Sequence, residues 1–129
     1  MLFMEIYCES RPWGKFVKFH QNRPCTVKLI HVNPNSRLSL QYHLNRMEFW
    51  QVVQGTAAVE LEGENYLLHE GDSLEIPRKA KHRLGALDRG CVVMEIAYGK
   101  FDELDIVRLD DDYHRAPAIS TVRASAVAG

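Results

Sequence analysis

Gln41, His43, Glu48 and His82 are the side chains of this sequence whose types and spacing suit the capture of a divalent cation. Gln41 and His43 stand two positions apart in "LSLQYHLNRMEFWQVVQG", and Glu48 follows the turn-like "LNRM". Side chains alternate across a strand, so Gln41 and His43 share a face, and an antiparallel return strand brings Glu48 beside them. A fourth donor comes from "EGDSLEIPRKAKHRLG", where Gly71 and Asp72 turn the chain, Pro77 ends a strand and His82 opens the next. Imidazole, carboxylate and amide oxygen together suit zinc, manganese, iron or cobalt, with one or two coordination positions left for water or substrate. The alternative for each residue is a solvated side chain on an exposed strand face.

Such donors need strands to hold them, and the apolar residues supply the pattern. They fall in runs of about four to eight, rich in β-branched and aromatic residues and broken by Gly, Pro, Asn and Asp. The runs place strands at 14–19, 26–32, 38–43, 48–53, 56–62, 64–69, 72–77, 82–86 and 91–99, separated by "NPNS", "HLNR", "EGEN", "HEGD", "RKAK" and "LDRG". Many short strands at close spacing indicate an all-β sandwich or jelly-roll barrel. "FDELDIVRLDDDYHR" reads as a short turn or helix, and residues 116–129, rich in Ala, read as a flexible tail behind a single domain over 1–115.

With 129 residues, 46% of them hydrophobic, the chain is long enough for one domain with a proper core. The balance of 16 basic against 17 acidic residues argues against nucleic acid and anionic membrane surfaces as partners and favours a small molecule. Cys8, Cys25 and Cys91 are scattered and odd in number, the pattern of reduced thiols. "MLFMEIYC" lacks a basic n-region and runs at once into "ESRPWGK", so neither a signal peptide nor a membrane span is expected and the cytoplasm is the expected location.

Together the donors spell Q-x-H-x4-E-x6-G, from Gln41 to Gly55, and G-x5-P-x4-H, from Gly71 to His82. This resembles the two-part signature of the cupin superfamily, whose jelly-roll (double-stranded β-helix) barrel is therefore the expected fold. Gln41 stands where the first His is usual, Asn35 and Lys79 stand where glycines are usual, and Ala86 replaces a late Asn. All four ligand positions remain filled. "RPWGKF", "TVKLIHVNPNSRLSLQYH", "RMEFWQVVQGTAAV", "LLHEGDSLEIPRKAKHRL" and "DELDIVRLDDDYHR" resemble, in order and spacing, the phosphomannose isomerase domain that ends the type II bifunctional phosphomannose isomerase/mannose-1-phosphate guanylyltransferases. The guanylyltransferase domain that precedes it in those enzymes has no counterpart in this sequence, nor is there a G-x-x-x-x-G-K-[ST] loop, so guanylyl transfer is not expected.

The resemblance implies interconversion of mannose 6-phosphate and fructose 6-phosphate through an enediolate, which needs a base for the carbon acid and positive charge for the developing oxyanion. It implies one divalent metal ion per chain, zinc first, with manganese, cobalt or iron as alternatives, on Gln41, His43, Glu48 and His82. A 6-phosphate calls for Arg or Lys in the pocket. Arg11, Lys28, Arg108 and Arg115 are the candidates for binding it, Arg115 matching the Arg of the family's terminal "YGR". Lys28, Arg46 and Arg115 are the catalytic candidates. If Lys28 faces inward, its ammonium needs a ligand or a carboxylate partner, and a depressed pKa would make it the proton-transfer base.

One departure bears on catalysis. The family reads "QMHHHRAEHW" where this chain reads "QYHLNRMEFW", so Leu44, Asn45 and Phe49 replace three imidazoles that are candidates for the base or for orienting the sugar. His31 and His69 read as exposed strand or turn residues rather than substitutes, and Trp13 and Trp50 as core or interface aromatics. The sequence thus leaves two main readings, an isomerase and a non-catalytic cupin module that keeps the metal and binds a sugar phosphate, with an iron oxygenase as a weaker third. Association as a homodimer is expected, because small all-β domains must cover their edge strands.

Overall fold

The computed structural model describes residues 6–115; the expected tail, 116–129, lies outside them. Among the described residues nine strands follow one another: β1 (Tyr7–Arg11), β2 (Gly14–Lys18), β3 (Thr26–Val32), β4 (Leu40–Tyr42), β5 (Arg46–Leu61), β6 (Glu64–Leu68), β7 (Ser73–Ile76), β8 (His82–Gly99) and β9 (Val107–Asp110). β1 and β2 form a hairpin sheet of their own. The others form one antiparallel sheet in the order β6-β5-β8-β4-β9, with β3 on β8 and β7 on β5. The architecture is all-β, as expected, and among the described residues no helix is long and apolar enough to cross a membrane.

Three local expectations are corrected. β5 and β8 run unbroken through "VVQGTA" and "LDRG", which the sequence pattern reads as breaks. The long strands bend instead, through register shifts at Val52/Gln54 and Gly55/Ala57. At this bend Gly55 takes φ 82°, and a Cβ there would lie 2.6 Å from the Gly90 carbonyl oxygen, an approach open only to glycine. Second, 38–53 is not a hairpin. β4 pairs with β8, at Gln41 and His82, and with β9, at Gln41 and Arg108, so β8 lies between it and β5. Third, "FDELDIVRLDDDYHR" holds no helix: Val107–Asp110 extends along β4 as an edge strand, with turns on either side. β1 also goes beyond the sequence reading, which places no strand before residue 14.

Strand alternation sorts the side chains into two layers. Inside the curved sheet, Val32, Trp50, Val52, Ala57, Val59, Leu84 and Val93 make the main core. On the opposite face Phe49, Ile96 and Tyr98 form a second cluster, covered by Phe19, Cys25, Met47 and Met94. The inward parity that buries Trp50 and Val93 also buries Glu48, Glu95 and His82, so the barrel interior carries charge and imidazole among its apolar residues. Asn35 and Lys79, at positions where the resembled motifs use glycine, both adopt left-handed backbone, φ 54° and 69°.

Candidate metal centre

His43 lies just beyond β4, Glu48 on β5 and His82 at the start of β8, and one donor atom from each falls within 4.8 Å of the others. All three side chains are buried. His43 Nε2 is 3.3 Å from Glu48 Oε2, and His82 Nε2 is 3.8 Å from Glu48 Oε1. Each imidazole is oriented from behind by a carbonyl, which can only accept a hydrogen bond. His43 Nδ1 donates to Asp105 O at 2.7 Å and His82 Nδ1 to Ala80 O at 2.9 Å. Both Nε2 atoms therefore present lone pairs to Glu48.

Burial favours the neutral imidazole in both cases. It pulls His43 down to about 3, with Arg46 and His82 adding to the effect, and it also lowers His82. Neutral imidazole is the form that binds a metal. His82 Nε2 is buried with no hydrogen-bond partner among the described residues, an arrangement that is costly unless something else takes the lone pair. The donor set and this orphaned nitrogen fit a divalent cation.

Gln41 joins the cluster with its amide turned. Its Nε2 lies 3.3 Å from His43 Nε2, while its Oε1 accepts the Ser39 hydroxyl at 2.5 Å. Ser39 is fully buried, and its hydroxyl can donate or accept, so the same contact serves either orientation of the amide. Arg46 is equally close: Nε donates to Glu48 Oε2 at 3.0 Å, Nη2 lies 3.3 Å from His43 Nε2, and the guanidinium stacks on Phe101 at 4.5 Å.

A cavity of about 400 Å³ opens onto this cluster, lined by Gln41, His43 and Arg46, by Lys28 and Glu95, and by Arg108 and Arg115. Lys28 faces inward, as its alternation with exposed Val27 and Leu29 requires, and finds its carboxylate partner: Nζ is 3.5 Å from Glu95 Oε1 and 3.7 Å from Glu103 Oε2. Arg115 is held in a two-pronged pair by Asp111, at 2.8 and 3.0 Å, which raises the guanidinium pKa further. Arg108 is lowered by burial and by the neighbouring charge of Arg115. Arg11 does not line this cavity; it is exposed on β1, paired with Glu9 at 2.6 Å. His31 and His69 are exposed, and His31 also lines the cavity.

The structure adds Trp50, Glu95 and Asp105 to the site. Trp50 Nε1 lies 3.0 Å from Glu48 Oε1 and 3.3 Å from Glu95 Oε2, one N–H between two buried carboxylates. Burial and the charge of Glu48 push Glu95 up to about 7. A lone acid inside the apolar run "CVVMEIAYG" was its signal in the sequence. The three lost imidazole positions lie away from the cavity lining: Leu44 and Asn45 sit in the exposed bend before β5, and Phe49 packs in the outer cluster with Ile96 and Tyr98.

The family described as "Mannose-6-phosphate isomerase C-terminal" matches residues 3–111. The alginate biosynthesis protein AlgA of Pseudomonas aeruginosa is 40% identical over 124 residues, 92% of this chain and 26% of that protein. The mannose-1-phosphate guanylyltransferase ManC of Salmonella typhimurium is 40% identical over 115 residues, 86% of this chain and 23% of that protein. The chain thus spans about a quarter of the length of these curated relatives. Among solved structures, a cupin protein from Bacteroides fragilis shares the fold, with a TM-score of 0.55 and 19% identity over 58% of this chain and 65% of that one.

Proposed function

The chain belongs to the mannose-6-phosphate isomerase C-terminal family, with a cupin fold, and from that premise we propose that it is a metal-dependent isomerase of mannose 6-phosphate and fructose 6-phosphate. The observation that carries this reading is the lining of one cavity, which unites Gln41 and His43 of the donor cluster with Lys28, Arg108 and Arg115. His43, Glu48 and His82, with Gln41 after an amide turn, would hold the ion, zinc first, which when bound supplies Lewis acidity to the sugar oxygens.

The protein's own groups account for the rest. Arg108 and Arg115 place two guanidinium groups on the cavity wall, a setting for a phosphate dianion. Conversion of the aldose removes a proton from C2 and places one on O1, then removes the proton of O2 and places one on C1. Lys28, which faces inward with Nζ 3.5 Å from Glu95 Oε1, is the amine among the sequence candidates that lines the cavity. Arg46, between Glu48 and His43, adds fixed positive charge where negative charge develops on oxygen. Leu44, Asn45 and Phe49 do not weigh against turnover, since none lines the cavity. The reading extends to a cytoplasmic homodimer, and Arg11, outside the cavity of its own chain, keeps a substrate role only if a second copy brings it there.

A coupled assay for fructose 6-phosphate, with protein stripped and reloaded in turn with zinc, manganese, cobalt and ferrous iron, tests the proposal. Turnover that depends on the metal is expected. Absence of turnover with every ion, in protein that demonstrably binds metal, would replace the isomerase by the sugar-phosphate-binding module.

A further inference from the structure

We infer that Asp105 is a positioning residue of the metal centre: it fixes both the direction of the His43 ring and the bend that carries His43 to Glu48. The inference rests on the metal-site reading above and assigns a role to a residue outside the donor set.

Asp105 sits in the connection between β8 and β9 and is only 6% exposed. Its backbone carbonyl accepts His43 Nδ1–H at 2.7 Å. Its carboxylate accepts two backbone N–H groups from the bend that follows His43, Leu44 N on Oδ1 and Asn45 N on Oδ2, both at 2.9 Å. One residue thus grips three consecutive positions, 43, 44 and 45, by three hydrogen bonds. Charge-assisted bonds from a buried carboxylate are among the stronger hydrogen bonds, because the carboxylate has little water to return to.

These contacts have a defined chemical effect. With its proton held on Nδ1 by the carbonyl, His43 directs the bare Nε2 at Glu48. If the ring turned or changed tautomer, an N–H would point at the donor cluster and oppose a cation. The carboxylate matters because it locks the carbonyl's own position against residues 44 and 45. From the other side Lys79 N donates to His43 O at 2.8 Å, so the main chain at His43 is held as well as its ring. The same connection is tied to Arg46, whose Nη1 donates to Asp102 O at 3.1 Å. The β4–β5 bend, which lacks a direct β4–β5 ladder, takes its geometry from this connection.

The test compares Asp105→Ala, Asp105→Asn and Asp72→Ala with the unaltered chain. Asp72 is the control because its carboxylate makes the same kind of bond, accepting His69 N at 2.8 Å, in an exposed turn outside the donor cluster. Zinc affinity is read by competition with a chromophoric chelator, and the His43 tautomer in metal-free protein by long-range nitrogen–proton NMR. Asp105→Ala is expected to weaken zinc about 10- to 100-fold and to mix the two tautomers, whereas the unaltered chain holds the proton on Nδ1. Asp105→Asn, which keeps one acceptor oxygen, should fall between them, and Asp72→Ala should bind zinc like the unaltered chain.

Affinity within about twofold of the unaltered chain in Asp105→Ala, with the tautomer unchanged, overturns the inference, as does an equal loss in Asp72→Ala. If Asp105→Ala fails to fold, Asp105→Asn decides by the same two readouts. Should the unaltered chain bind no zinc, the metal-site reading fails, and the NMR tautomer alone then decides whether Asp105 positions His43.

Discussion

At the scale of single residues, Asp111 shows how the cavity wall is held in shape. Its carboxylate accepts the Nε–H and Nη2–H of Arg115 and the backbone N–H groups of Tyr113 and Arg115, with the Arg115 side chain first among the causes that hold its pKa far below the ordinary 3.8. Because the folded-state pKa is depressed, the unfolded chain binds the proton more readily as pH falls. The contribution is therefore complete above the ordinary carboxylate range and is lost as pH drops through the folded value. Asp111→Asn should cost about 2 kcal/mol at neutral pH, and its stability should decline less than that of the unaltered chain on going into acid. Thermal melts across a pH series check this, and parallel declines would remove Asp111 from the acid response. The convergence of Gln41, His43, Glu48 and His82 was legible in the sequence, because strand alternation turns their spacing into proximity. The parts played by Trp50 and Asp105 were not, because they depend on pairings across 45 to 62 positions that no local pattern encodes, and Glu95 left only the trace of a lone acid in an apolar run.

At the scale of elements, what positions the donors is curvature. β5 contributes Glu48 near one end and pairs along both halves with β8, so that β8 can bring both His82 and Glu95 to the interior. The two strands manage this by bending where Gly55 faces Gly90, both in left-handed backbone. Glycine is a common turn signal, and it misled the sequence reading here because a break and a bend use the same residue. The hairpin expected over 38–53 failed for a related reason: alternation fixes which face a side chain takes but not which strand lies next to it. Gly55→Ala offers the test. The added methyl meets a backbone oxygen and the residue must keep φ 82°, so the variant should lose about 1–3 kcal/mol. Denaturant unfolding measures it, and a loss within about 0.5 kcal/mol, the range of an unremarkable substitution, would mean that the bend does not need glycine.

At the scale of the whole molecule, the described residues leave two apolar surfaces exposed. The β1–β2 hairpin forms a sheet apart from the rest, with Trp13 71% exposed at its turn and Tyr7 and Val17 also uncovered. A two-stranded hairpin is marginal in water when nothing packs on it. β3, bonded on one side to β8, turns Val27 and Leu29 outward, 56% and 59% exposed, on the face that carries Met94 and Ile96. An edge strand with an apolar outer face invites a partner. A second copy that offers its hairpin to this face, and receives one in return, covers both surfaces in a single symmetric contact, as an isologous dimer requires. The prediction is that sedimentation gives twice the chain mass of 14.8 kDa and that Leu29→Asp gives the single-chain mass. Leu29 is exposed in the single chain, so a charge there spares the core and acts on association. Sedimentation of the unaltered chain at the single-chain mass would end the dimer, and with it the one route by which Arg11 reaches a cavity.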